Sequence, residues 1–80
     1  MIVEIKVPEV GPNVTEVTIV KWCKEVKDPI QESEVLVEIM TEKVNTEIES
    51  PVSGIVFEIL YPKETVVRVG EVIARIEEKA

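Results

Sequence analysis

Eighty residues allow one small domain, and 16 acidic against 9 basic side chains give a net charge of −7. With no basic stripe in the chain, that balance excludes a nucleic-acid phosphate backbone as partner. There is no histidine and only one cysteine, so neither a metal nor an internal disulfide staples the core. No apolar run approaches the ~20 residues that span a bilayer, and strand-like sequence begins at Ile2. The expectation is one domain over 1–80 with a linker starting near 78–80, no membrane or signal segment, and a reducing, cytoplasmic setting.

Val and Ile recur with period two along almost the whole chain, the pattern of half-buried strands, and no helical period is sustained. Strands are predicted near 2–7, 17–23, 35–40, 44–49, 54–61 and 72–77, with shorter extended pieces at 29–31 and 66–68. Turns are marked by Pro8, by Gly11-Pro12-Asn13, by Asp28-Pro29, by Ser50-Pro51 with Ser53-Gly54, and by Tyr61-Pro62.

The chain also repeats itself. A shift of 37 residues places Val20-Lys21-Trp22-Cys23 on Phe57-Glu58-Ile59-Leu60 and Glu34-Val35-Leu36-Val37-Glu38-Ile39 on Glu71-Val72-Ile73-Ala74-Arg75-Ile76. A shift of 43 places Glu4-Ile5 on Glu47-Ile48, Pro8 on Pro51 and Gly11 on Gly54. The first half therefore carries six extra residues between Gly11 and about Thr18.

Strict alternation then assigns faces. Polar Glu58 turns Ile55, Phe57 and Ile59 inward, and the repeat turns Thr18, Val20 and Trp22 inward with them. Cys23, after these apolar residues, is expected as a small buried hydrophobe. Val3, Ile5 and Val7, Val35, Val37 and Ile39, Val44, Thr46 and Ile48, and Val72, Ala74 and Ile76 complete the predicted core. Neither half buries such a face alone. The expected fold is all-β: a flattened barrel or sandwich of two antiparallel sheets with a pseudo-twofold axis.

Strands 35–40 and 44–49 form a predicted hairpin whose turn, 41–43, is the joint between the two halves. Inward Ile39 and Val44 are expected to bracket it, leaving Lys43 presented at the tip, opposite the chain ends. A turn lysine by itself assigns no function. Its place at a symmetry joint singles it out.

These residues resemble the lipoyl domains of 2-oxo acid dehydrogenase complexes, over essentially the whole chain. The resemblance rests on Thr41-Glu42-Lys43-Val44, preceded by Val35-Leu36-Val37-Glu38-Ile39-Met40 and followed by Glu47-Ile48-Glu49-Ser50-Pro51 and Gly54. Trp22 with Asp28, and Val69-Gly70-Glu71-Val72-Ile73, add to it. It implies lipoate in amide linkage on Lys43, attached by a lipoate ligase or lipoyl transferase that reads Thr41, Glu42 and Val44. It implies a non-catalytic carrier of a dihydrolipoamide acyltransferase. The arm would move acyl groups and electrons between a thiamine-diphosphate-dependent 2-oxo acid decarboxylase, the acyltransferase core and dihydrolipoamide dehydrogenase. The strained five-membered disulfide ring supplies the reactive bond.

The resemblance further implies that the extra loop, Gly11, Pro12, Asn13, Val14, Thr15 and Glu16, lies beside the hairpin and is read by the decarboxylase. The Met40 lead-in and the 50–54 segment look most like branched-chain-type complexes. Three departures stand out: Glu42 replaces the usual Asp, Val44 replaces the commoner Ala, and Lys27 and Glu64 occupy loop positions where the family has glycine. A biotin carrier shares the fold but flanks its lysine with methionines, where this chain has Glu42 and Val44. Glycine-cleavage carriers are longer, and structural lipoyl-like modules insert a helical hairpin where this chain crosses in about three residues.

Overall fold

The computed structural model describes residues 1–42 and 44–79, so the predicted placement of Lys43 lies outside the described residues. Eight strands run in chain order: β1 Ile2–Lys6, β2 Glu16–Trp22, β3 Pro29–Ile30, β4 Val35–Met40, β5 Asn45–Glu49, β6 Gly54–Ile59, β7 Val66–Arg68 and β8 Val72–Glu78. They form two antiparallel sheets, β1-β8-β6-β3 and β5-β4-β2-β7. Each sheet takes two strands from each half of the chain. This interleaving follows from the repeat, because a half with one apolar face per strand has nothing of its own to cover it. Among the described residues no helix is long and apolar enough to cross a membrane.

The pseudo-twofold extends to single hydrogen bonds. The Cys23 N–H donates to the Leu36 carbonyl at 2.9 Å, and 37 residues on the Leu60 N–H donates to Ile73 at 2.9 Å. The Lys27 N–H reaches Val56 across the interface at 2.7 Å, mirrored by the Glu64 N–H on Ile19 at 2.6 Å. Val7 on Glu71 and Ser50 on Glu34 form another such pair, at 3.0 and 2.9 Å.

The core joins both sheets through Ile5, Val7, Val17, Ile19, Ile30, Leu36, Val37, Ile39, Ile48, Val56, Val67, Ile73, Ala74 and Ile76. Strict alternation misplaces several neighbours, and β-bulges are the reason. The β2–β4 register shifts between Ile19 and Lys21, and the β6–β8 register shifts between Val56 and Glu58. Val20 and Phe57 are thus the extra residues, each adding a second outward position in a row. Val20 is 37% and Phe57 53% exposed, while Val17, Ile19 and Val56 take the inward places. Ile55 likewise faces out, and Thr18 is only half-buried. Trp22 and Ile59, beyond the bulges, do pack against the core.

A second pair of bulges places Leu36 and Ile73 inside beside Val37 and Ala74. Val3, Val35 and Val72 are half-buried. Val44 is exposed rather than inward, because β5 begins only at Asn45 and the pleat does not reach it. Cys23 is exposed rather than buried, one residue past the end of β2. The match of Gly11 with Gly54 also fails in space. By the strand pairing Gly54 corresponds to Val17, while Gly11 lies in the loop.

Left-handed backbone obeys the same symmetry. Lys27 (φ 80°) pairs with Glu64 (φ 68°), and Ser33 (φ 72°) with Gly70 (φ 93°). A left-handed residue with a Cβ costs about 1–2 kcal/mol, part of which glycine returns in unfolded-chain entropy. Lys27→Gly and Glu64→Gly are each expected to stabilise the domain by roughly 0.5–1 kcal/mol. Combined, they are expected to raise Tm by about 4 °C or more in a thermal melt.

Candidate attachment site

The bend between β4 and β5 is closed by backbone and side chain together. The Thr41 N–H donates to the Val44 carbonyl at 2.8 Å. The Val44 N–H donates to Thr41 Oγ1 at 3.2 Å, and the Thr41 hydroxyl donates to the Val44 carbonyl at 3.3 Å. Below it Met40 faces Asn45, Ile39 faces Thr46, and Ile39 is fully buried. The backbone bond has a symmetry counterpart: the Glu78 N–H donates to the Met1 carbonyl at 2.8 Å. The bend at 41–44 thus corresponds to the site where the two chain ends meet.

The extra loop lies against this bend. One groove of about 330 Å³ is lined by Val10, Gly11, Pro12, Asn13, Val14, Thr41, Glu42 and Val44. A second, of about 450 Å³, is lined by Asn13, Val14, Thr15, Glu16, Val17 and Thr18 with Met40, Thr41, Glu42 and Val66. All six predicted loop residues therefore share a groove with Thr41 and Glu42. The loop is anchored rather than free: Val10 and Val14 pack against the core, and the Val69 N–H donates to the Thr15 carbonyl at 2.9 Å.

Reasoning from the sequence omitted Val10, Val17, Thr18, Met40 and Val66 from the site. Met40 and Val66 stand out only once folded, as apolar residues left 41% and 58% exposed beside a polar turn.

Glu42 and Val44 are both exposed, Val44 by 51%. Both sequence neighbours of Lys43 therefore lie at the surface, and such flanks fit a covalently carried group. The same chemistry suits biotin or lipoate, each joined through one amide. The exposed Cys23 thiol has its pKa pushed up by partial burial and then by the carboxylate of Glu38. Elsewhere the outer faces carry ion pairs, Arg75 with Glu58 and Glu4, and Lys24 with Glu34.

Two interleaved four-stranded sheets with a closed bend at the symmetry joint define a barrel-sandwich domain built to display that bend. The chain belongs to the biotin/lipoyl family, described as biotin-requiring enzymes, whose pattern matches residues 3–76. It is similar to the dihydrolipoyllysine-residue acetyltransferase component of the pyruvate dehydrogenase complex of Corynebacterium glutamicum. The two are 49% identical over 73 residues, covering 91% of this chain and 11% of that protein. It is also similar to the dihydrolipoyllysine-residue succinyltransferase component of the 2-oxoglutarate dehydrogenase complex of Bacillus subtilis, at 42% identity over 77 residues, 96% of this chain and 18% of that protein. The chain thus spans less than a fifth of the length of these two relatives. Among solved structures it is similar to the lipoyl domain of the 2-oxoglutarate dehydrogenase complex of Azotobacter vinelandii. The TM-score is 0.81 at 26% identity, with 98% of this chain and 99% of that one covered.

Proposed function

We propose that this domain carries lipoate in amide linkage on Lys43 and serves as the mobile acyl carrier of a 2-oxo acid dehydrogenase complex. The observation that carries the reading is the bend closed by Thr41 and Val44, set at the symmetry joint with both flanks exposed and the extra loop beside it. Likeness to acyltransferase components of pyruvate and 2-oxoglutarate complexes supports lipoate over biotin and supports the 2-oxo acid class. The carried dithiolane supplies a strained disulfide that accepts an acyl group with two electrons.

The chain's own residues attach and present. Thr41 and Val44 fix the bend, Ile39 roots it in the core, and Glu42 and Val44 flank the amine for a lipoate ligase or lipoyl transferase. The partners in this reading are a thiamine-diphosphate-dependent decarboxylase, the acyltransferase core and dihydrolipoamide dehydrogenase. Tethering holds the arm near each of them at roughly millimolar effective concentration. Residues 11–16 form the surface the decarboxylase reads.

Intact-mass spectrometry after incubation with lipoate ligase, or separately biotin ligase, and the matching cofactor tests the attachment. A single lipoyl-sized increment that disappears in Lys43→Arg is expected. A biotin increment would make the domain a biotin carrier, and no increment from either ligase would make it a structural module.

A further inference from the structure

The pseudo-twofold axis supplies an internal control, and beside the bend it fails. In one sheet β6 and β8 stay paired to the end: Gly54 faces Glu78, so close that a Cβ on Gly54 would lie 2.0 Å from the Glu77 carbonyl oxygen. The corresponding residues in the other sheet are Val17 and Thr41, and there the β2–β4 ladder stops one pair earlier, at Thr18–Met40. A valine cannot make the approach that glycine makes. The strands therefore part, and the parted ends line the 450 Å³ groove with Met40, Val66 and Val14.

We propose that this groove is a berth for the dithiolane end of the carried arm, an inference that rests on the lipoyl reading above. Three observations favour the arm as occupant. Thr41 and Glu42, the two residues before the attachment position, line the groove themselves. A lysine side chain extended by a lipoyl chain reaches roughly 14 Å, ample to fold back over its own bend. Met40 and Val66, exposed by 41% and 58%, offer a small apolar ring a sulfur and three methyls to cover. The acidic neighbours Glu16 and Glu42 do not oppose the ring, because the amide-linked arm is uncharged. Tethered at roughly millimolar effective concentration, the ring fills half the berths even with a millimolar intrinsic Kd. The berth would shield the strained disulfide between partner visits.

The test maps methyl resonances of the chain before and after enzymatic lipoylation, with the octanoylated chain as a second state. Lipoylation is expected to shift the Met40 and Val66 methyls and to leave those of Ile55, at the symmetry-related pole, unchanged; octanoylation should shift them less. In a phosphine reduction assay the disulfide of Val66→Glu is expected to react about two-fold faster than that of the parent, matching loss of a half-filled berth. Val66 is a surface residue, so the variant should fold, and the methyl map of the parent stands independently of it. Shifts confined to 41–44 would overturn the berth while leaving the carrier reading intact. Met40 and Val66 shifts that appear only on adding the decarboxylase would also overturn it, assigning the groove to the partner. Absence of a lipoyl mass increment would overturn both.

Discussion

Gly54→Ala is expected to cost about 3 kcal/mol or more, at the upper end of overpacking penalties, because the new methyl lands on backbone. Its Cβ would sit 2.0 Å from the Glu77 carbonyl oxygen and 2.9 Å from the attached carbon. No rotamer change relieves that contact. β6 and β8 must separate where Gly54 faces Glu78, and these are the two interior strands of their sheet. A domain of this length is stable by roughly 4–12 kcal/mol in all, so thermal melts should lose about 12 °C or more. The other two glycines isolate the cause. Gly70 has φ +93° but open space around it, so Gly70→Ala should cost only about 1 kcal/mol, the left-handed penalty. Gly11 meets only Val14 Cγ2, at 3.7 Å, and Gly11→Ala should leave Tm essentially unchanged. Equal losses at all three positions would refute the steric account.

The strand order and the pseudo-symmetry were legible because they depend on apolar period and on Pro, Gly and Glu recurring together. Strands β4 and β7 lie over the predicted residues, and the others end within two residues of prediction. Side-chain direction in β2 and β6 was not legible, for a specific reason. One bulge moves every residue on one side of it to the other face. Val20 and Phe57 occupy equivalent bulges, so the two halves agreed on the same misassignment and the repeat could not expose it. The other pair of bulges, at Leu36 and Ile73, did leave a trace: Val35-Leu36-Val37 and Val72-Ile73-Ala74 are unbroken apolar triplets, which a regular half-buried strand does not need.

The bend between β4 and β5 was legible as a joint, and the loop as six surplus residues. The groove was not, since it arises from Val17 standing where the other half has Gly54, two residues that the sequence repeat did not align. Left-handed backbone at Lys27 and Glu64 was legible only through family likeness, as glycine positions that this chain fills with charged residues.

The same symmetry designs the experiment on the loop. Val7 corresponds to Ser50 by its hydrogen bonds, and Val17 corresponds to Gly54 by strand pairing. Between these anchors the first half has residues 8–16 and the second half only Pro51, Val52 and Ser53. Replacing 8–16 with Pro-Val-Ser removes the six surplus residues and joins ends that the chain already joins in its other half. The variant loses the packing of Val10 and Val14 and the Val69–Thr15 bond, a cost of about 1–3 kcal/mol that a melt will register. The bend keeps its Thr41–Val44 bonds, so enzymatic lipoylation should proceed as in the parent. Reductive acylation by the cognate decarboxylase should fall by more than ten-fold, since losing a recognition surface worth about 2 kcal/mol lowers association roughly thirty-fold. Free lipoamide, which has no loop, sets the floor for that rate. A folded, fully lipoylated variant acylated at the parent rate would reduce residues 11–16 to an insertion, tolerated because longer surface loops cost little in closure entropy. A rate near the floor would instead identify the broken symmetry at this pole as the feature by which the decarboxylase selects its carrier.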